Sequence, residues 1–224
     1  MLKAILFDLD GTLLDRETSL NRFVRNQYNR FCNSLSHVSQ DHYCKRFIEL
    51  DSRGMVWKDL VYQQLISELK ITSLSWEVLL DDYVKQFREH CVIFQDVCTS
   101  LAFLKNQGYL LGLITNGRYP FQMDAINSLA LSPYFSTILI SEKEGIKKPD
   151  PAIFNKATRQ LGVENRTAVY VGDHPATDIE GAKNAGLKTI WKRSPYWDGC
   201  PHADATFETF KELVPIIEIL SGTC

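Results

Sequence analysis

The feature that most constrains this chain is a change of rhythm along it. From Leu110 onward, short apolar runs alternate with stretches of helical spacing. Leu110–Thr115, Thr137–Ser141, Ala168–Gly172 and Leu187–Trp191 read as strands. Pro120–Leu129, Pro151–Leu161 and Pro175–Asn184 read as helices, with a closing helix near Phe207–Leu220. Strands separated by helices need crossover connections, so the pattern predicts a parallel sheet covered on both faces. One further apolar run, Lys3–Asp8, stands far upstream and ends abruptly in acid and glycine. Between it and the alternating region, Glu17–His90 contains no convincing strand. Leu20, Phe23, Val24, Tyr28 and Phe31 recur at helical spacing; so do Trp57, Leu60, Val61, Leu65 and Leu69. Trp76, Leu79, Leu80, Tyr83, Val84 and Phe87 form a further stripe, and a fourth helix falls around Asp41–Leu50. An isolated first strand cannot pair inside a helical block, so it must join the distant sheet. The expectation is an α/β protein whose open-sheet core, residues 1–15 and 93–224, carries an inserted helical-bundle domain, residues 16–92.

Composition excludes other classes. With 45% hydrophobic and 23% charged residues the chain has ordinary globular make-up. Lys plus Arg (25) nearly balance Asp plus Glu (27), which argues against nucleic-acid binding driven by bulk electrostatics. The N-terminal stretch reaches two aspartates within ten residues and cannot form the apolar core of a signal peptide. The longest apolar runs fall far short of the roughly 18–20 residues that a membrane span needs. Cys32, Cys44, Cys91, Cys98, Cys200 and Cys224 show no ligand spacing and read as free thiols, so a cytoplasmic location is expected.

In open parallel sheets, ligands bind beyond the carboxyl ends of the strands, and unusual residues collect there. Asp8 and Asp10 follow the first strand, Thr115-Asn116-Gly117 the next, and Gly172-Asp173 another, with Asp178 five residues on. Lys148 lies in a fourth loop, before Pro149 and Pro151. Two acids spaced i, i+2 project to one side, and with Asp173 they concentrate negative charge that calls for a cation. An all-oxygen site of this kind suits Mg²⁺ better than Zn²⁺. A metal beside Lys148 and the Thr115 hydroxyl suggests a phosphate substrate, with loop amides near Gly11 and Asn116 as further donors. One of the paired acids can attack phosphorus while the other handles the proton.

Asp8-Leu9-Asp10-Gly11-Thr12-Leu13, Thr115-Asn116-Gly117, Lys148-Pro149-Asp150-Pro151 and Gly172-Asp173-His174-Pro175-Ala176-Thr177-Asp178 resemble, in order, the four motifs of the haloacid dehalogenase superfamily. The resemblance covers nearly the whole chain, and the helical block resembles that family's cap inserted after the first strand, as in subfamily I. It implies a Rossmann-like core and an Mg²⁺-dependent phosphatase acting through an aspartyl-phosphate. Asp8 would be the nucleophile and a metal ligand. Asp10 would act as general acid and then base, with its backbone carbonyl on the metal. Thr115 and Lys148 would hold the phosphoryl group, with Gly11, Thr12 and Asn116 in the binding loops. Asp173 would complete the metal site, and Asp178 would orient Lys148 or a metal-bound water. Dehalogenating members lack the second aspartate, so Asp10 disfavours that chemistry. A phosphomutase retains both acids and is the alternative within the family. A non-catalytic sensor of phosphometabolites or nucleotides on the same fold is the alternative outside catalysis. A phosphorylated receiver-like domain leaves little room for the helical insertion.

His174 departs from the small polar residue more common at its position and reads either as a contact to substrate or to the groups around the metal beside Asp173, or as a tolerant, solvent-facing loop imidazole. Substrate choice falls to the inserted domain, where Asp51–Lys58 forms a glycine turn. Arg53 there can bind a second anionic group and Trp57 can stack on a ring. Alternatively, Trp57 begins a core stripe while Arg53 and Lys58 are solvated. The expected partner is a small phosphorylated metabolite, bound by a monomer or homodimer, with no nucleic acid and no membrane. Hinges are expected near Asp15–Glu17 and His90–Asp96.

Overall fold

The computed structural model describes residues 1–222. The chain divides into two compact units, Arg16–Val92 on one hand and Met1–Asp15 with the chain from Ile93 onward on the other. Among the described residues the second of these holds one sheet of six parallel strands. They are β1 (Ala4–Phe7), β2 (Leu110–Thr115), β3 (Thr137–Ile140), β4 (Ala168–Gly172), β5 (Lys188–Lys192) and β6 (Ala205–Phe207), in the order β3-β2-β1-β4-β5-β6. The chain runs outward from β1 to β3 and then returns to lay β4 on the other side of β1. That reversal is the switch point at which open sheets bind ligands.

Register sets the level of the strand ends. Phe7 pairs with both Leu113 and Val171, so the residues that follow these strands emerge at one edge. Every residue of β1 and β4 is buried, as strands covered on both faces require. Leu6, Ile114, Leu139, Phe154, Tyr170 and Leu187 belong to one apolar cluster on the helix Pro151–Gln160. That helix starts where Asp150 accepts the Ala152 amide and Pro151 supplies a preset φ.

The insertion leaves and re-enters the core side by side. Leu14 bridges Ile93, and the Phe94 amide donates to the Leu13 carbonyl at 3.0 Å. With its ends pinned together, a long insertion adds little closure entropy, because that term grows only logarithmically with length.

Some expectations shift. Phe207 lies in β6, not in the last helix, which begins at Phe210 behind a Thr209–Glu212 capping box. A three-residue strand has no readable period. The helix Val97–Asn106 lies outside the expected elements, with Val97, Leu101 and Leu104 buried along it. The expected helix at Pro175–Asn184 opens as a wide π-type turn to Glu180 before its α-helical end. No helix among the described residues is long and apolar enough to cross a membrane. The described cysteines are free thiols.

The other unit packs Arg16–Arg30, Gln40–Asp51, Lys58–Glu68 and Trp76–Gln86, with a short helical turn at Cys32–Leu35. Phe23, Phe47, Tyr62, Leu65, Leu79 and Tyr83 form its interior. Leu60 and Val84, read as stripe residues, are exposed. Gln27 is buried as a polar hub. Its amide donates to the Leu79 carbonyl and Asp82, and its oxygen accepts from the Tyr43 and Tyr62 hydroxyls.

Lys58 corrects the solvated alternative. It is 2% exposed and its ammonium is bonded to Asp51, itself 1% exposed. Asp51 also receives both terminal nitrogens of Arg16 and the Gly54 amide. The acid thereby staples a turn in which Ser52, Arg53 and Gly54 all take positive φ (45°, 57° and 84°). Burial pushes the Asp51 carboxyl up, but Arg16 and then Lys58 outweigh it and hold it below its ordinary value. A carboxyl held low in the folded chain contributes stability above its unfolded value of about 3.9. That contribution is lost as pH falls through the lower folded value. Asp51→Asn should therefore lose about 3–5 kcal/mol at pH 7, since Lys58 stays buried without its anion. It should also fall less steeply than the unaltered chain below about pH 4. Urea unfolding across that range checks both, and parallel acid limbs would remove Asp51 as the cause.

Candidate active site

At the β1–β4 edge the acids and the lysine converge. The Lys148 ammonium has three protons, and each meets an acceptor: Asp8 Oδ1 at 2.5 Å, Asp178 Oδ1 at 2.7 Å and the Tyr170 hydroxyl at 2.9 Å. Tyr170 passes its own proton to the Ile114 carbonyl at 3.1 Å. Asp178 Oδ2 accepts the His174 amide at 3.0 Å, so both oxygens of that acid are engaged. The Lys148 loop is fixed by Asn116, whose carboxamide donates to the Lys148 carbonyl and accepts its amide, each at 2.9 Å. Thus the Asn116 side chain serves the loop backbone. Thr12 is fully buried, with its hydroxyl 3.4 Å from Asp8 Oδ2.

Asp8, Asp173 and Asp178 each offer a carboxylate oxygen within 4.8 Å of the others. Burial, and then the neighbouring acids, push Asp8 well above the usual carboxylate range despite Lys148. Asp173 is pushed up to about 7 by burial and then Asp178, with Lys148 and Lys192 opposing. For Lys148 burial works against the charge, but Asp178 and Asp8 outweigh it and hold the ammonium protonated. Lys148 and Lys192 together leave the three acids with surplus negative charge. Gly11 adds a steric sign of the same design. It has φ +82°, and a Cβ there would lie 2.5 Å from Asp173 Oδ2. The Trp191 indole donates to the Asp173 carbonyl at 2.7 Å and anchors that loop from β5.

A family model described as haloacid dehalogenase-like hydrolase matches residues 5–192. The chain belongs to this family. A glyceraldehyde 3-phosphate phosphatase of Pyrococcus furiosus is 45% identical over 129 residues, 55% of this chain and 54% of that relative, so the match spans about half of its length. Another protein of that name, from Methanopyrus kandleri, is 28% identical over 99% of both chains. Among solved structures, a haloacid dehalogenase-family phosphatase from Thermococcus onnurineus is 29% identical with a TM-score of 0.70, covering 96% of this chain and 98% of that one.

The hydrolase brings Asp8, Lys148, Asp173 and Asp178 together, with Gly11 and Thr12 beside them. Arg53 and Trp57 belong to the helical unit; Arg53 is exposed and Trp57 half-buried. His174 is not the tolerant loop imidazole expected. Its Nδ1 accepts the Ala176 and Thr177 amides at 3.2 Å each, and its ring lies 4.7 Å from that of Trp197. An unprotonated ring nitrogen caps the turn much as a serine or asparagine oxygen does.

Two polar groups escaped the sequence reading. Tyr170 sits mid-strand, where an aromatic reads as core, and the only clue was a hydroxyl in an otherwise apolar run. Gln122 lies in the first turn of the helix Phe121–Ser128, yet is 5% exposed and donates to Asp10 and Thr115. Tyr170→Phe leaves the Ile114 carbonyl and one Lys148 proton unsatisfied. It should lose about 1–3 kcal/mol, with about 2–4 °C of melting temperature per kcal/mol. An unchanged melt would show that water or another group takes the place of the hydroxyl.

Proposed function

We propose that this hydrolase cleaves small-molecule phosphate monoesters with Asp8 as nucleophile, in an Mg²⁺-dependent reaction. The observation that carries the reading is the buried Asp8 carboxylate held by a protonated Lys148 beside Asp173 and Asp178. The donor set fits the metal, being all oxygen, crowded and short of positive charge. Asp8, Asp173 and the Asp10 backbone carbonyl would hold Mg²⁺, with Asp178 acting through Lys148 or a water. When bound, the ion offsets the charge of the phosphoryl oxygens and of the attacking carboxylate.

A carboxylate oxygen of Asp8 bonds to phosphorus as the ester P–O bond breaks, and the leaving oxygen takes its proton from Asp10. Water then attacks phosphorus and gives a proton to Asp10. The Asp8–phosphorus bond breaks, releasing inorganic phosphate and restoring both acids. Lys148 exchanges its bond to Asp8 for a phosphoryl oxygen, while Asp178 and Tyr170 keep the ammonium in place. Thr115 donates to another phosphoryl oxygen.

The measurement that tests this is p-nitrophenol release from p-nitrophenyl phosphate with Mg²⁺ or EDTA, alongside Asp8→Asn and Asp10→Asn. Expected is Mg²⁺-dependent turnover that Asp8→Asn abolishes and Asp10→Asn reduces by about 10²–10⁴-fold. Absence of turnover, together with failure of Asp8 to take up beryllofluoride, would favour the sensor. Transfer to a second sugar without phosphate release would favour the mutase. Relatives named for glyceraldehyde 3-phosphate make three-carbon phosphate esters the first metabolites to assay.

Substrate choice is assigned to the turn Asp51–Trp57 of the helical unit. Two non-glycine residues held at positive φ by a buried acid indicate a loop whose shape is being maintained. Arg53 on that turn offers a guanidinium to a second anionic group, and Trp57 a face to a ring. Arg53→Ala should raise KM several-fold for carboxylated or doubly phosphorylated substrates, leaving kcat on p-nitrophenyl phosphate unchanged. Equal losses on every substrate would count against the assignment.

A further inference from the structure

The side chain of Gln122 is enclosed where no motif of the sequence placed a functional residue. Its Nε2 lies 2.6 Å from Asp10 Oδ2, 3.0 Å from Thr115 Oγ1 and 3.3 Å from the Asn116 carbonyl. The orientation of the amide follows from these neighbours. A backbone carbonyl accepts only, and so does an ionised carboxylate, so the NH₂ must face them and the amide oxygen must face away. The two protons are then shared among three oxygens, with Asp10 at the shortest distance.

This fixes the hydrogen-bond sense of two groups at once. The Thr115 oxygen accepts from Gln122, so its single proton points elsewhere. Among the described residues that hydroxyl donates to no protein group, which leaves the proton for a phosphoryl oxygen. Asp10 Oδ2 accepts an amide proton, which ties the orientation of that carboxyl group to the helix Phe121–Ser128.

Gly117 supplies an independent observation. Its φ is not in the left-handed region, so the backbone alone does not demand glycine. A Cβ at this position would instead lie 2.6 Å from Gln122 Cγ and 2.8 Å from its Nε2. The glycine after Thr115-Asn116 is thus the space through which the glutamine reaches both groups.

We propose that Gln122 is a positioning residue of the phosphoryl-transfer site. It holds the Asp10 carboxyl group in place and leaves the Thr115 proton for the phosphoryl group, and Gly117 is the vacancy that admits it. The proposal rests on the phosphatase reading above. In the first step the bond between an Asp8 oxygen and phosphorus forms while the bond to the leaving oxygen breaks, and that oxygen receives the proton from Asp10. A misaimed acid therefore matters most when the leaving group is a poor one that needs its proton early. It matters least for p-nitrophenolate, which departs as a stable anion.

The test is kcat/KM for p-nitrophenyl, phenyl and alkyl phosphates with the unaltered chain, Gln122→Met, Gln122→Glu and Gly117→Ala. Methionine keeps the length without the donor, and glutamate sets a carboxylate against Asp10. Expected is a loss of about 10²-fold on alkyl phosphate and under tenfold on p-nitrophenyl phosphate, with Gly117→Ala showing the same steepened dependence although no polar atom is removed. The ratio between two esters in one preparation is independent of the folded fraction, so a destabilised variant cannot imitate the result. An unchanged ratio in Gln122→Met overturns the proposal, whether the rates fall uniformly or not at all. No turnover of any ester by the unaltered chain would overturn the phosphatase reading and the proposal with it.

Discussion

A lysine ammonium removed from water must find an acceptor for each of its protons, and in this chain that requirement organises the catalytic edge. Lys148 reaches Asp8, Asp178 and Tyr170, groups borne by β1, by the turn after β4 and by β4 itself. These can meet only if β4 lies beside β1, which is where the reversal of strand order puts it. The lysine in turn needs its own loop held still, and Asn116 after β2 holds it through the reciprocal bonds to its backbone. Three adjacent strands are thus tied to one charge. Removing any one acceptor leaves the others crowded around a buried cation with fewer bonds.

The same crowding sets these acids apart from a passive ion-pair network. A structural pair approaches neutrality, whereas here Asp8, Asp173 and Asp178 outnumber Lys148 and Lys192, the lysines whose charges oppose theirs. Burial and mutual repulsion raise Asp8 and Asp173 together. Such a site stores unfavourable charge that a divalent cation would relieve, and the proposed phosphoryl dianion would be tolerable only beside such a cation. Carboxylates and phosphate would otherwise repel, and Lys148 alone cannot compensate for both.

Much of this was legible because charge interrupts apolar runs. Asp8, Thr115 and Asp173 stand at or just past the ends of buried strands, where an acid or hydroxyl has no packing reason to be. What stayed hidden was polar chemistry disguised as something ordinary. Tyr170 looks like core, since its ring is core and only its hydroxyl acts. Gln122 looks like a surface residue in a helix's first turn, and its enclosure depends on Gly117, a relation between side-chain volume and backbone that spacing does not reveal. Lys58 looked solvated because its partner Asp51 sits across a turn rather than at helical spacing. β6 was missed because three residues carry no period, and His174 because a ring nitrogen does the work usually done by an oxygen.

The two units are held to different standards by their own interactions. In the core, Asp8, Asp10, Thr115 and Lys148 are each fixed by named partners, and the chemistry proposed for them concerns one phosphoryl group and says little about what that group is attached to. In the helical unit, the turn after Asp51 is held by a buried acid, with Arg53 exposed on it. A buried staple under an exposed side chain fixes where a guanidinium is presented without fixing what it meets. Because the insertion's ends are pinned at Leu14–Ile93 and Leu13–Phe94, such a turn can change its sequence without disturbing the strands that carry the acids. Selectivity can therefore vary around unchanged chemistry, which is why the reaction class is readable from the core residues and the particular ester is not.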